Sequence, residues 1–153
     1  MIKENILDKE VIKISILRDK KYLDEIAQKE KEIFQSTAFD KKIMDEIFDN
    51  KRCSIIVAKN CDKICGHAIV FDAIDANELL KIAVNNDERK KGIGTKILYF
   101  ITELNNNPIF LEVRETNIAA QDFYKKFGFI KISERKRYYS DTGENAYIMV
   151  YKK

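Results

Sequence analysis

Leu79-Leu80-Lys81-Ile82-Ala83-Val84, then Asn85-Asn86-Asp87-Glu88-Arg89-Lys90-Lys91-Gly92-Ile93-Gly94-Thr95, then Lys96-Ile97-Leu98-Tyr99-Phe100-Ile101 reads as strand, tight loop and helix start. The first stretch is an apolar run and the last is helix-like in its residues. Two glycines between them let the backbone curl so that its N–H groups face one point, and the positive end of the following helix adds its field. Arg89, Lys90 and Lys91 flank the turn. The segment is expected to hold an anion, and a pyrophosphate suits it best.

Glycine spacing alone fits several nucleotide-binding designs. A dinucleotide fold needs a third glycine and an acidic residue about twenty positions further on, and a P-loop needs Gly-Lys-Ser/Thr after a four-residue gap. Gly92-Ile93-Gly94 is followed by Thr95-Lys96 and meets neither requirement. A glycine-assisted turn without a ligand remains the alternative for this segment in isolation.

On either side of it the chain alternates between the two periodicities. Glu10 to Leu17 alternates as a first strand, and Tyr22, Leu23, Ile26, Ile33 and Phe34 make an apolar stripe on a first helix. Asp40 suits the N-cap of a short second helix carrying Ile43, Met44, Ile47 and Phe48. Strands are predicted near 53 to 59, 64 to 72 and 77 to 84, with Lys59-Asn60-Cys61-Asp62 as a turn. A helix over 93 to 105, a strand over 109 to 114, a helix over 117 to 127 and strands near 130 to 139 and 145 to 151 follow. Such an order predicts one mixed sheet covered by helices on both faces. The single proline, Pro108, stands where a helix must end before a strand begins, and no linker or repeat divides residues 1–153, so one domain is expected.

Composition agrees with this and excludes little else. The 153 residues are 45% apolar and 35% charged, enough for one core. A formal charge of +3, from 28 basic and 25 acidic residues, is too balanced to predict direct nucleic-acid binding. No apolar run approaches the roughly eighteen residues of a membrane span. Met1-Ile2-Lys3-Glu4-Asn5 lacks a signal-peptide profile, so a cytoplasmic location is expected. Cys53, Cys61 and Cys65 are odd in number and are expected as reduced thiols that pack. With His67 they offer four soft ligands, but the spacing lacks the paired knuckles of structural zinc sites, and no metal is expected. His67 lies in a strand-like run and reads as structural.

Further along stand Leu111-Glu112-Val113-Arg114, Asn117-Ile118-Ala119-Ala120 and Phe123-Tyr124-Lys125-Lys126-Phe127-Gly128-Phe129. Together with Arg89-x-x-Gly92-x-Gly94 after a strand, these motifs resemble the GCN5-related N-acetyltransferases, the GNAT family. Leu111-Glu112-Val113-Arg114, Arg137-Tyr138-Tyr139 and Glu144-Asn145-Ala146-Tyr147-Ile148-Met149 are most similar to the RimI type, bacterial enzymes that acetylate the N-terminal alanine of a small-subunit ribosomal protein. The resemblance is strong over residues 77 to 152, partial over 39 to 76 and slight before that.

The resemblance implies an α/β GNAT fold: a mixed, mostly antiparallel sheet with helices on both faces and a splayed pair of parallel strands holding acetyl-CoA. Ile82, Ala83 and Val84 would meet that co-substrate by backbone. Arg89, Lys90, Lys91, Gly92, Ile93, Gly94 and Thr95 would bind its pyrophosphate, and Asn117, also a helix N-cap, would hydrogen-bond it. Lys125 and Lys126 are candidates for its ribose phosphate. Glu112 matches the general base that takes a proton from the acceptor amine, and Tyr124 the acid that protonates the leaving thiolate. Without the resemblance Glu112 reads as a surface ion-pair member, with Arg114 as partner. Tyr138 is expected to touch the acceptor. The implied partner is a protein N terminus, that of a ribosomal protein, and a monomer or weak dimer is expected. Lys131, Arg135, Lys136 and Arg137 form a basic stretch that reads either as an attractor of ribosomal RNA or an acidic acceptor, or as a solvated face.

One departure bears on the acceptor. RimI-like chains carry Pro-Trp before the second helix, where this chain has Ala38-Phe39. A small amine as acceptor, and an acetyl-CoA-binding module without catalysis, are therefore kept beside the peptide reading.

Overall fold

Ile12, Ile14 and Ile16 alternate with polar neighbours, and in the computed structural model, which describes residues 11–153, they form β1 (Ile12–Ile16) along the edge of β2 (Cys53–Asn60). Glu10, the expected start of that strand, lies outside the described residues. β3 (Lys63–Asp72), β4 (Asn77–Val84), β5 (Ile109–Arg114), β6 (Ile130–Arg135) and β7 (Ala146–Tyr151) complete one sheet in the order β1-β2-β3-β4-β5-β7-β6. Every neighbouring pair is antiparallel except β4 and β5.

Helices cover both faces. α1 (Leu23–Phe34) and α2 (Lys41–Asp49) bury Leu23, Ile26 and Met44 against Leu17, Ile55, Val57, Ile64 and Ile69. Asp40 caps α2 as its position predicts, accepting a hydrogen bond from the Ile43 amide at 2.9 Å. On the opposite face α3 (Ile93–Thr102) sends Ile93, Ile97, Leu98 and Ile101 into a second cluster with Ala68, Val70, Leu79 and Leu111, and α4 (Ile118–Phe127) adds Tyr124. Burying each such aliphatic side chain contributes about 1.5–3 kcal/mol.

The β4–β5 pair positions the site. Its parallel pairing covers only Asn77↔Ile109 and Glu78↔Phe110. That closed end is pinned by the Asn77 amide on the Pro108 carbonyl at 2.8 Å and by reciprocal Asn77–Asn105 side-chain bonds at 2.9 and 3.3 Å. Beyond it the strands part, and the cause is local. Ile69 faces Lys81 while Val70 faces Leu79, so Leu80 is an extra residue that bends β4. Lys81 to Val84 stay with β3, whereas Leu111 to Arg114 pair with β7.

Two predicted boundaries differ by more than two residues. α3 ends at Thr102 rather than at 105, because Asn105 is used to pin β4. β6 ends at Arg135 rather than at 139: Arg137 takes a left-handed φ of 53° and its amide is held by Asn145 at 3.0 Å, which starts a turn. A short 3-10 turn, Asn86–Glu88, precedes α3 where only a loop is predicted. Asn85 anchors it through hydrogen bonds to the Ile64 and Cys65 carbonyls at 2.7 and 2.9 Å.

α3 closes on the sheet at Gly66, where an added Cβ would stand 2.8 Å from the Ala83 carbonyl oxygen and 3.4 Å from both Ile93 and Ile97. Gly66→Ala is expected to cost about 1–3 kcal/mol, as overpacking of a filled core does. Denaturant unfolding checks this, and an unchanged midpoint would show that β4 yields without strain.

Candidate active site

The gap between β4 and β5 opens into a cleft of about 630 Å³. Its floor is Ile82, Ala83 and Val84, one end is Glu88, Arg89, Lys90, Gly92, Ile93, Gly94 and Thr95, and the far wall is Asn117, Ala119, Ala120, Phe123 and Tyr124. Ile33 and Phe34 of α1 complete it. Of the residues singled out in the sequence as co-substrate contacts, all but Lys91 and the ribose-phosphate candidates Lys125 and Lys126 line this space.

The two glycines act differently. Gly92 is the N-cap of α3 with φ 77°, a left-handed conformation open to glycine, and no side chain caps the helix. The first-turn N–H groups, which have no partner within a helix, therefore begin at the cleft. Gly94 serves approach: a Cβ there would lie 3.0 Å from the Phe123 ring, so its absence lets α4 press against the start of α3.

Charge in this loop is partly spoken for. Arg89 donates through Nε to the Val84 carbonyl at 3.3 Å, tying the loop to the strand end. Lys91 pairs with the buried Glu88 at 2.9 Å, and Lys63 reaches the same carboxylate at 3.1 Å. Those two cations hold the Glu88 carboxyl below the usual range. Lys90, exposed and in a left-handed conformation with φ 65°, faces the cleft.

Asn117 caps α4 by accepting from the Ala120 amide at 3.1 Å. Two turns after the cap comes Tyr124, buried between Phe123 and Phe129 at ring distances of 5.3 and 5.5 Å. Burial pushes its phenol well above the usual range, with Tyr139 a smaller contributor, so the hydroxyl keeps its proton at neutral pH.

Glu112 sits apart from these residues. Leu111 and Val113 turn into the core and Glu112 emerges on the other face of β5, where Arg135 Nε pairs with it at 3.0 Å and the Tyr138 hydroxyl donates to it. The ion-pair partner expected from sequence, Arg114, is engaged elsewhere: it grips Asp141 at 2.9 and 3.0 Å and Glu144 at 3.0 Å, and stacks on Tyr139 at 3.9 Å. The β6–β7 turn brings Asp141 and Glu144 over Arg114, and Thr116 and Thr142 also donate to Glu144. Arg114 thereby folds the turn that carries Tyr138 and Tyr139 back toward β5. In the basic stretch Lys131 is paired with Glu134.

One cluster is not anticipated in the sequence. On the α1 face, Glu30 and His67 are fully buried and 3.3 Å apart, and Lys81 stands 3.9 Å from the second Glu30 oxygen. Its signals are a lone histidine in an apolar strand and a lysine inside the otherwise apolar end of β4.

Cys65 is buried, Cys53 half-buried and Cys61 exposed, none of them in a disulfide, and among the described residues no three His, Cys, Asp or Glu side chains gather as a metal site. Among the same residues no helix is long and apolar enough to cross a membrane.

A sheet split at a parallel pair, with an uncapped helix start at the mouth of the split, defines an acyltransferase scaffold, and the chain belongs to the Acetyltransferase (GNAT) family, whose family model matches residues 20–129. It is similar to the ribosomal protein bS18-alanine N-acetyltransferase of Escherichia coli (strain K12), 36% identical over 93 residues that cover 57% of this chain and 63% of that one. An N-alpha-acetyltransferase of Sulfolobus acidocaldarius is 41% identical over 76 residues, covering 46% of this chain and 45% of the relative. The crystal structure of the ribosomal-protein-S18-alanine N-acetyltransferase from Escherichia coli superposes with a TM-score of 0.78 at 25% identity, over 93% of this chain and 94% of that one.

The Glu112–Tyr138 contact has a titration signature. The hydrogen bond to Glu112 comes first, then burial and the Glu112 charge, and together they push the Tyr138 phenol up to about 12 from 10.0. A raised value means that the contact persists below pH 10 and is lost as pH rises through about 12. In ¹³C-tyrosine NMR the Tyr138 signal is therefore expected to stay still up to pH 11 in the native chain and to titrate below that in Glu112→Gln. Titration near 10 in the native chain would remove the contact.

Proposed function

We propose that residues 1–153 act as one domain that transfers an acetyl group from acetyl-CoA to the N-terminal α-amine of a protein, with a small-subunit ribosomal protein as acceptor. The observation that carries this reading is the split between β4 and β5: it exposes the backbone edge of Ile82 to Val84 beside an uncapped helix start. The bS18-alanine N-acetyltransferase likeness supports the choice of acceptor. The same reading takes the chain as a cytoplasmic monomer or weak dimer.

The residues present suit the co-substrate. The amides of Gly92, Ile93, Gly94 and Thr95, with Arg89 and Lys90, would hold its pyrophosphate, with Lys91 adding to the local field beside Glu88. The edge of Ile82, Ala83 and Val84 would pair with its amide-bearing arm, and Asn117 would hydrogen-bond it. Acetyl-CoA supplies the acyl group as a reactive thioester. For the rest, the chain moves protons. An N-terminal ammonium with a free pKa of about 8 must lose one before it attacks, and Glu112 accepts it. Tyr124, held protonated by burial, donates one to the sulfur that leaves. Tyr138, 47% exposed beside Glu112, contacts the acceptor.

Release of CoA thiol from acetyl-CoA tests the reading, with a peptide copying the N terminus of the host's alanine-starting ribosomal protein run beside polyamines and aminoglycosides. Turnover with the peptide alone is expected. Turnover with small amines alone would move the acceptor class, and none at all, with acetyl-CoA bound, would leave a binding module. Glu112→Gln is expected to lower kcat about 10²-fold or more while calorimetry shows unchanged acetyl-CoA affinity. Native turnover in that variant would take the base role away from Glu112.

A further inference from the structure

The buried polar cluster on the α1 face supplies no group to the proton steps, and none of Glu30, His67 and Lys81 itself lines the co-substrate cleft. Glu30 is fully buried, and a buried carboxylate is costly unless donors or cations surround it. His67 Nε2 meets one oxygen at 3.3 Å, which assigns the ring proton to that nitrogen. Among the described residues the other oxygen accepts no hydrogen bond, and it faces the Lys81 ammonium at 3.9 Å. Lys81, its side chain 11% exposed, spends its charge on one segment: it donates to the Thr37 carbonyl at 2.6 Å and lies 4.0 Å from the Phe34 ring centre and 4.6 Å from that of Phe39. Rings at those distances attract a cation through their negative faces.

Glu30, Phe34, Thr37 and Phe39 all belong to residues 30–39, the end of α1 and the connection to α2. Phe34 lines the cleft, and Lys81 immediately precedes the Ile82 edge of β4. The held segment is also strained. Gln35, inside the grip, has φ 52° and ψ −113°, a conformation that side-chain-bearing residues rarely adopt and that persists only where the surroundings impose it. An apolar core would serve stability as well as a buried ion pair does, whereas an ion pair fixes one geometry.

We propose that Lys81 is a positioning residue for the acceptor: its ammonium clamps residues 34–39 to β4 and so fixes Phe34, which lines the cleft, together with Phe39 on the same connection. Lys81 touches neither reacting group and acts through the segment it holds. The role in acceptor binding rests on the acetyltransferase reading above, and the clamp itself does not.

Lys81→Met keeps the stem and removes the charge. In the full chain, hydrogen exchange of the 34–39 amides is expected to accelerate about tenfold or more, with 118–127 unchanged. With the peptide acceptor, its KM is expected to rise about tenfold while the acetyl-CoA KM stays within about twofold. Lys81→Arg, which keeps the cation, is expected to restore most of the exchange protection. Should Met leave Glu30 uncompensated and the chain unfolded, Glu30→Gln combined with Lys81→Met removes both charges and is measured in the same way. Unchanged exchange at 34–39 overturns the clamp, and an equal rise in both KM values overturns its acceptor role. If the native chain acetylates no peptide, the functional reading falls and exchange alone decides the clamp.

Discussion

Two strands that begin a parallel pairing and abandon it after two registers set everything else in this molecule. An unpaired strand edge in a protein interior is costly, because each N–H and C=O needs a partner. Here the bulge at Leu80 imposes that edge by bending β4 away, while β7 takes β5 and the Asn77–Asn105 bonds hold the other end shut. The edge of Ile82 to Val84 that faces β5 is thus left unpaired along the cleft. The glycines follow from it: Gly66 lets α3 close beneath the bent strand, and Gly94 lets α4 close over the helix start.

Two cation-centred assemblies stand on the strands that part at the split. Arg114 gathers Asp141, Glu144 and Tyr139 and so shapes the turn bearing Tyr138. Lys81 gathers Glu30, the Thr37 carbonyl, Phe34 and Phe39 and so shapes the opposite connection. Each cation sits on one of the two diverging strands.

The sequence carries the element order, the strand–loop–helix motif and the Asp40 and Asn117 caps in full, because apolar period, glycine and cap chemistry are local signals. It does not carry the bulge. Simple alternation puts Lys81 on the same face as Leu79, but the extra residue Leu80 reverses the parity: Leu79 joins Val70 in the α3 cluster and Lys81 lies opposite Ile69 on the α1 side. The partner of Glu112 was hidden for a similar reason. Arg114 is two residues away on the same strand face, whereas Arg135 reaches it only across β7. Lys91 illustrates a third limit. Its neighbours in sequence suggest an anion ligand, but the 3-10 turn places the Glu88 carboxylate against it.

β6 is exposed along its whole length, from Ile130 to Arg135, and forms the free edge of the sheet. Open edges invite a strand from another molecule, and two exposed isoleucines, Ile130 and Ile132, sharpen the invitation. The strand carries its own countermeasures. Its register with β7 shifts between Lys131 and Ser133, which breaks the run of evenly spaced backbone groups at Ile132. Lys131, Glu134 and Arg135 set charge along the same edge. A second chain seeking to extend the sheet would meet an interrupted ladder and would have to strip water from three ionised side chains.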